Sequence, residues 1–309
     1  MRPEKIDFPD SIPVSAFVRS LEQYPYHWHD TLEIIQVLRG SANVDLGSDN
    51  LLLRENEIAV VNIGELHRIT KGDEDNEILF IHIGGNFCKS TLSDRKYLFI
   101  YCSSVYHKEI APEKYERLNG YIARLVSALC EKLQNEKTYR EHMKSMESLL
   151  SSMLNYLAYN FDYLRWGYGA EAFADPVVNR FRYIAEHTDT EYEVQMGLKD
   201  LAAELKVSLQ HLSRDIKEKF GLTFQELLYY GKCAYAAKLL LASNKRIVDI
   251  ALDCGFSDVK YLIKHFKQFF RHTPSEFRRL YRTDEKTLFA GLRYCDLLLT
   301  VVLRNIKAD

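Results

Sequence analysis

Two stretches of this sequence share one plan: a short helix, a tight turn and a second amphipathic helix. The first covers residues 198–220 (LKDLAAELKVSLQHLSRDIKEKF) and the second covers residues 247–271 (IVDIALDCGFSDVKYLIKHFKQFFR). In both, apolar residues recur at helical spacing on one face, so each pair of helices needs a common core. We therefore predict two helix-turn-helix units within an all-helical segment.

The ends of these helices are marked by residues with capping properties. Ser208 is predicted to cap the second helix of the first unit, and Ser257 the second helix of the second unit, 49 residues later. Gly255 suits the left-handed position that ends a helix. A long helix is predicted between the units, over 223–242. The residues expected to face inward are Leu212, Ile216 and Phe220 in the first unit and Leu262, Phe266 and Phe270 in the second.

The two halves of the chain differ in net charge. Residues 206–282 carry 15 Lys and Arg against 7 Asp and Glu, a net charge of +8. Residues 1–174 carry 19 against 25, a net charge of −6. An alternative for the basic half is a plain helical hairpin whose surface lysines only keep it soluble. The presence of two such units with a net charge of +8 instead favours a polyanion as partner.

The run GFSDVKYLIKHFKQFFRHTPSEFRR (255–279) resembles the signature of the AraC/XylS family of transcription regulators, and the likeness extends over about 177–281. The resemblance implies two recognition helices in successive major-groove segments of promoter DNA, with RNA polymerase as a further partner. It implies base contacts by Gln210, Ser213, Arg214, Lys260 and Lys264. Phosphate contacts are expected from Lys206, Lys217, Lys267 and the helix N-termini at Ser208 and Ser257.

Four residues of the basic half depart from the family pattern. Asp215 stands where an apolar residue is usual, and Arg271 stands where Gly is usual. Lys232 and Lys264 occupy positions where Arg is frequent. Lysine is a point charge without the planar fork of arginine, so Lys264 should discriminate bases less sharply.

The front half is predicted to be a β-barrel. Residues 13–101 contain short apolar, β-branched runs at about ten-residue spacing, such as LEIIQVL (32–38) and EILFIHI (77–83). Residues typical of turns, including Gly40 and Gly64, separate these runs. Short strands at this spacing are typical of sandwiches and barrels.

In the front half, the side chains best suited to bind a ligand or a metal are those of His27, His29 and Glu33. These positions share parity on a strand and therefore one face, and His67 follows on a later segment. Three His and one Glu are a donor set for Zn, Fe, Mn or Ni. The spacing resembles the first motif of the cupin barrel, and IAVVNIGELHRI (58–69) resembles its second motif, with Asn62 in place of a common Pro.

The resemblance to the family favours a small-molecule pocket over a metal site here, and we expect no cofactor and no catalytic residue. The rings of Tyr26 and Tyr101 are candidates to stack on a sugar. A purely structural cluster remains an alternative, as does a metal site at His27, His29, Glu33 and His67. The predicted effector-binding residues are His27, Trp28, His29, Glu33, His67 and His82.

The predicted fold is α+β with two domains: a cupin-like barrel with a helical hairpin, followed by an all-α double helix-turn-helix domain. Helices are predicted over 113–135, after Pro112, and over 141–164, with faces suited to dimerisation. The predicted boundaries are 1–110 for the barrel, 111–166 for the helical region, 167–176 for a linker, 177–283 for the DNA-binding domain and 284–309 for a helical tail.

We expect a homodimeric, effector-responsive activator of carbohydrate-utilisation genes, and not an enzyme. One alternative is a cupin metalloenzyme, an isomerase or dioxygenase, joined to a DNA-binding domain. Another is a regulator whose cupin domain only dimerises. The six Cys form no CxxC, the first residues lack an apolar signal core, and no apolar run has membrane-spanning length. These features indicate a cytoplasmic protein without a membrane partner.

Overall fold

The computed structural model describes residues 4–8, 13–46, 49–92, 100, 102–107, 109, 111–130, 136–161, 197–220, 222–282 and 293–295. The chain divides into two compact units. One is built around residues 3–162 with residues 285–309, and the other around residues 163–284.

The first unit contains two antiparallel sheets. Its strands are β1 (Val14–Ser20), β2 (Gln23–His27), β3 (Thr31–Arg39), β4 (Ser41–Leu46), β5 (Asp49–Arg54), β6 (Ile58–Val61), β7 (His67–Lys71), β8 (Glu77–Gly84) and β9 (Arg293–Cys295). One sheet has the order β6-β3-β8-β1-β9, and the other has the order β2-β7-β4-β5. The central strand β3 is buried from Thr31 to Leu38, as a strand covered on both faces should be.

Apolar side chains of both sheets form one core. Ile35, Val37 and Phe80 come from the first sheet, and Val44 and Leu53 come from the second. The predicted turns at Gly40 and Gly64 are confirmed, because both glycines have a φ of 74°, in the left-handed region that favours glycine. This core positions β2, β7 and β8, which carry His27, His67 and His82. The prediction that residues 27, 29 and 33 lie on one strand is wrong, because β2 ends at His27, His29 lies between β2 and β3, and Glu33 is on β3.

Four helices follow the strands: α1 (Gly85–Thr91), α2 (Ser104–His107), α3 (Pro112–Leu129) and α4 (Glu136–Asn160). The predicted helical pair is confirmed, and Pro112 occupies the first turn as expected. The helices pack through Tyr115, whose ring lies 5.2 Å from that of Phe161 in an edge-on arrangement. The side chain of Gln36 donates to Asn119 at 3.1 Å and joins β3 to α3.

The predicted helical tail is wrong for the three residues of it that the structure describes. Arg293–Cys295 forms β9, which pairs antiparallel with β1 from Ser20 to Val18. The edge of β1 offers unpaired backbone donors and acceptors, and an extended segment satisfies them where a helix would not. The rest of 284–309 and the predicted linker 167–176 lie outside the described residues.

The second unit is helical where it is described. Its helices are α5 (Leu198–Glu204), α6 (Leu209–Phe220), α7 (Phe224–Ala242), α8 (Ile247–Asp253), α9 (Val259–Phe270) and α10 (Pro274–Tyr281). The predicted long helix is α7, and it packs against α6, α8, α9 and α10. Capping boxes start α7 at Thr223 with Glu226 and α10 at Thr273 with Glu276. The predicted two-domain α+β fold is therefore confirmed.

No helix among the described ranges is long and apolar enough to cross a membrane.

Candidate functional site

Five predicted residues of the first unit converge on one buried cluster. His27, His29, Glu33, His67 and His82 each expose 3% of their surface or less. The carboxylate of Glu33 lies at the centre. Its Oε2 is 3.1 Å from Nε2 of His67 and 3.4 Å from Nε2 of His29, and its Oε1 is 3.4 Å from Nε2 of His82. The ligand atoms of His27, His29 and His67 lie within 4.8 Å of one another.

The opposite ring nitrogens of three of these histidines contact backbone carbonyl oxygens. Nδ1 of His27 donates to Pro25 at 2.9 Å, and Nδ1 of His67 donates to Glu65 at 2.9 Å. Nδ1 of His29 donates to the carbonyl of Thr31 at 3.1 Å. A carbonyl oxygen only accepts, so each Nδ1 carries a proton, and a ring in its neutral form presents the Nε2 lone pair to the cluster.

Burial and mutual contacts set the charges of the cluster. Burial alone would raise the pKa of the Glu33 carboxyl, but contacts with His82 and His29 outweigh it and hold this pKa well below its usual range. Burial lowers the pKa of His27 well below its usual value and lowers the pKa of His82 to about 4. Burial also opposes charge on His29, but contact with Glu33 outweighs it and raises that pKa. The carboxylate is therefore ionised near neutral pH, while His27 and His82 are neutral.

Two members of the site were not predicted. The Thr31 hydroxyl lies 2.7 Å from Nδ1 of His29 and 3.2 Å from Nδ1 of His82. Strand parity is a signal for Thr31, which shares the face of residues 27, 29 and 33. Oε2 of Glu4 lies 3.5 Å from Nε2 of His27, and its other oxygen accepts from the Tyr24 hydroxyl at 2.7 Å. No sequence motif marks Glu4, since only the tertiary fold brings it to His27.

A cavity of about 550 Å³ lies beside the cluster and shares Glu4 and Thr31 with it. Its lining also includes Lys5, Asp30 and Asn86, with apolar surface from Phe8 and Phe87. Of the remaining predicted pocket residues, Trp28 is half-buried and Tyr26 is buried, with the Arg68 guanidinium 5.2 Å from the Tyr26 ring centre. Tyr101 lies outside the described residues.

The second unit contains the two predicted helix-turn-helix units with matching turns. In the second, Gly255 has a φ of 68°, its N–H donates to Leu252, and the N–H of Phe256 donates to Ala251. In the first, Lys206 has a φ of 55° and the same pair of bonds runs from Lys206 to Ala203 and from Val207 to Ala202. Both turns are Schellman motifs, 49 residues apart.

The helix starts agree with the prediction in one unit only. The hydroxyl of Ser208 accepts from the N–H of His211 at 3.2 Å, so Ser208 caps α6 as predicted. The cap of α9 is Asp258 and not Ser257, because the Asp258 carboxylate accepts from the N–H of Lys260 at 2.8 Å. Both residue types are good caps, and a carboxylate also interacts favourably with the positive end of the helix dipole.

The predicted inward and outward faces of α6 and α9 are found in the structure. Leu212, Ile216, Leu262 and Phe266 are fully buried, Phe270 is 6% exposed, and the side chain of Phe220 lies outside the described ones. The outward positions form two basic faces on the helices that follow the turns. The exposed residues are Lys206, Ser208, Gln210, Ser213, Arg214 and Lys217 in the first unit and Ser257, Lys260, Lys264 and Lys267 in the second.

Two departures from the family pattern have structural explanations, and a third, Arg271, has none. Nζ of Lys232 donates to the carbonyl of Gly255 at 2.6 Å and so links α7 to the second turn. Asp215 is half-buried and pairs with His211 one helical turn away, at 3.2 Å. Arg271 ends α9 with a φ of 60°, which explains why glycine suits this position.

Family models match both units of the chain. The model of an AraC-like ligand binding domain matches residues 19–151, and that of a helix-turn-helix domain matches residues 201–280. Together they cover the sheets, the α3–α4 pair and both helix-turn-helix units. The chain belongs to the AraC family of transcription regulators.

The sequence identity between this chain and individual relatives is low. An uncharacterised HTH-type transcriptional regulator of Staphylococcus aureus (strain MSSA476) is 22% identical over 242 residues, which are 78% of this chain. The chain spans 30% of the length of that relative. The bifunctional transcriptional activator and DNA repair enzyme AdaA of Bacillus subtilis (strain 168) is 31% identical over 102 residues, 33% of this chain and 48% of AdaA. The crystal structure of ToxT from Vibrio cholerae O395 has a TM-score of 0.45 at 15% identity, over 88% of this chain and 99% of ToxT.

Proposed function

We propose that this chain is a transcription regulator that binds promoter DNA through α6 and α9 and responds to a ligand of its N-terminal unit. The observation that carries the proposal is the repeat of one turn geometry before two helices with exposed basic faces. A helix-turn-helix presents its second helix to the major groove, and the net charge of +8 over 206–282 attracts the phosphate backbone.

The proposed contacts divide into base readout and phosphate binding. Arg214 lies on the outer face of α6, where its planar fork suits the edge of a guanine. Gln210 and Ser213 share this face, and Lys260 and Lys264 take the same role on α9. Lys206, Lys217, Lys267 and the N-terminal turns of both helices are proposed to hold phosphates.

Replacing Arg214 with alanine is expected to weaken binding to the specific site by about 1–3 kcal/mol, because a bidentate base contact is lost. Lys264→Ala should act in the same way on the second half of the site. Lys267→Ala should weaken all sequences alike, since a phosphate carries no sequence information directly. The measurement is the dissociation constant for a site selected in vitro from random DNA and for its scrambled version, at one salt concentration.

The control for this series is the ratio of the two dissociation constants in each variant. Arg214→Ala and Lys264→Ala should lower the ratio, and Lys267→Ala should leave it unchanged. Equal losses on both DNAs for Arg214→Ala would exclude base readout by this residue. Folding is compared by far-ultraviolet circular dichroism, and little change is expected because all three side chains are exposed.

We further propose that the N-terminal unit binds a small-molecule effector, that the regulator acts as a homodimer through the α3–α4 region, and that it activates carbohydrate-utilisation genes with RNA polymerase. We also propose a cytoplasmic location, because the proposed partner is promoter DNA. The cavity beside the histidine cluster supports an effector of sugar size, because polar Asp30 and Asn86 and apolar Phe8 and Phe87 line it together. The proposed domain boundaries are those predicted from the sequence, except that residues 285–309 are assigned to the N-terminal unit and not to a separate helical tail.

Thermal unfolding of the full chain with a panel of mono- and oligosaccharides tests the effector proposal. A sugar at about 100 times its dissociation constant should stabilise the folded state by about 2.7 kcal/mol, and the melting temperature should rise. Asp30→Ala, at the cavity lining, should reduce that rise, whereas Glu55→Ala, at an exposed turn position outside the lining, should not. A panel without any shift would argue against a carbohydrate effector.

A further inference from the structure

We propose that the cluster of His27, His29, Glu33 and His67 binds one divalent transition-metal ion. A metal ion would be a further ligand of the proposed sensor unit, and in that respect the inference rests on the proposed function. Metal binding is measured without DNA, so its failure would leave the proposal of DNA binding untouched.

The first argument is the direction of the histidine lone pairs. Backbone carbonyls at Pro25, Thr31 and Glu65 accept the Nδ1 protons of three histidines. The Nε2 sides of all three rings then turn toward one another inside the unit. Metal-binding histidines are oriented in this way, since an outer hydrogen bond on one ring nitrogen fixes the tautomer and leaves the other free to ligate.

The second argument is an unfavourable contact in the absence of a cation. Nε2 of His67 is fully buried and makes no hydrogen bond of acceptable geometry within the described part of the chain. It nevertheless lies 3.1 Å from Oε2 of Glu33, so a lone pair faces an anionic oxygen. Nε2 of His29 lies at hydrogen-bonding distance from the same oxygen, 3.4 Å away, so the unfavourable contact is that of His67. A cation between Nε2 of His67 and Glu33 converts this repulsion into coordination.

The spacing of the donor atoms fits a small ion. Zinc holds imidazole nitrogens at about 2.0–2.1 Å, so two ligand atoms of a tetrahedral site lie about 3.3 Å apart. The separations of 3.1 Å and 3.4 Å to Glu33 match that value. The third histidine, His27, forms a group with His29 and His67 in which the ligand atoms lie within 4.8 Å of one another.

His82 is assigned a different role. Nδ1 of His29 already carries a proton, so the Thr31 hydroxyl accepts from it and gives its own hydrogen to Nδ1 of His82. His82 is then protonated on Nε2, which faces Oε1 of Glu33 at 3.4 Å. It is a positioning residue that orients the carboxylate, as the outer partners of metal ligands do.

The donor set indicates the class of metal. Imidazole and carboxylate without thiolate suit Zn²⁺, Fe²⁺, Mn²⁺, Co²⁺ or Ni²⁺ and disfavour Cu⁺. Ligand residues that are 0–3% exposed favour a retained ion with a structural or regulatory role.

The test uses the full chain, stripped with a chelator, dialysed and reloaded from buffered Zn²⁺. Elemental analysis should find one Zn²⁺ per chain, and the melting temperature should rise on loading. Glu33→Gln and His67→Gln should each lower the affinity more than about 100-fold, since even outer partners are worth 10–100-fold. His82→Asn should lower it by about 10–100-fold. His272→Gln, in the other unit, is the matched control and should bind like the wild type.

A second measurement decides the question even if a variant fails to fold. Co²⁺ added to the stripped wild-type protein should produce visible d–d bands without a thiolate charge-transfer band. A thiolate band would place the ion at a cysteine, and no d–d band would exclude the site; either result overturns the proposal. So would equal Zn²⁺ binding by the wild type and by folded Glu33→Gln.

Discussion

Replacing Phe266 with alanine is expected to lower the free energy of unfolding of the helix-turn-helix unit by about 3–5 kcal/mol. Phe266 is fully buried on the inner face of α9. Its ring stacks on Phe270 at 4.7 Å and meets Phe277 of α10 edge-on at 5.3 Å. Truncation removes these contacts and leaves a cavity that α9 and α10 cannot fill without moving. The free energy of unfolding of a domain is only about 5–15 kcal/mol in total, so this loss is a large fraction of it.

Hydrogen exchange of α9 amides in the full chain, read by mass spectrometry, measures this loss directly. Tyr261→Ala on the same helix is the matched control, because Tyr261 is 49% exposed and its truncation opens no cavity. Specific DNA binding should fall with Phe266→Ala at elevated temperature, where the unit is partly unfolded. Similar protection in the two variants would show that Phe266 is not part of the core.

Replacing Gly40 with alanine is expected to destabilise the first unit by about 3 kcal/mol or more. Gly40 has a φ of 74°, and a Cβ built there lies 1.8 Å from the carbonyl oxygen of Asp75. This backbone cannot move away, because the adjacent Asn76 is buried and bonded to Leu21 and Ser41. Its side chain accepts from the N–H of Leu21 at 3.0 Å and donates to the carbonyls of Leu21 at 3.1 Å and Ser41 at 3.3 Å.

Gly120→Ala provides a control of opposite sign. Gly120 is exposed within α3, and a Cβ built there meets no atom within 4 Å. Alanine should stabilise that helix by about 1 kcal/mol, because it loses less conformational freedom on folding. Denaturant unfolding monitored by Trp28 fluorescence reports on both variants, although Trp166 also contributes to the signal. A Gly40→Ala protein as stable as Gly120→Ala would contradict the predicted clash.

Most of the helical unit could be predicted because its determinants are local. The spacing of Leu212, Ile216, Leu262 and Phe266 specifies which face is buried, and the glycine at 255 specifies where a helix ends. The cap of α9 was assigned one residue early, since Ser257 and Asp258 are both good caps and local propensity does not separate them. The short strand β9 was missed because only the edge of β1 makes it an extended segment.

The sequence by itself determined the two helix-turn-helix units, the strand-rich first half and the identity of the five cluster residues, because periodicity, capping and strand parity act over a few residues. The tertiary structure decided what that cluster is. The approach of His67 and His82 to Glu33, the addition of Glu4 and Thr31, and the inward direction of the Nε2 atoms depend on strand register between distant segments. Register is set by packing of the whole core, so no local pattern encodes these distances.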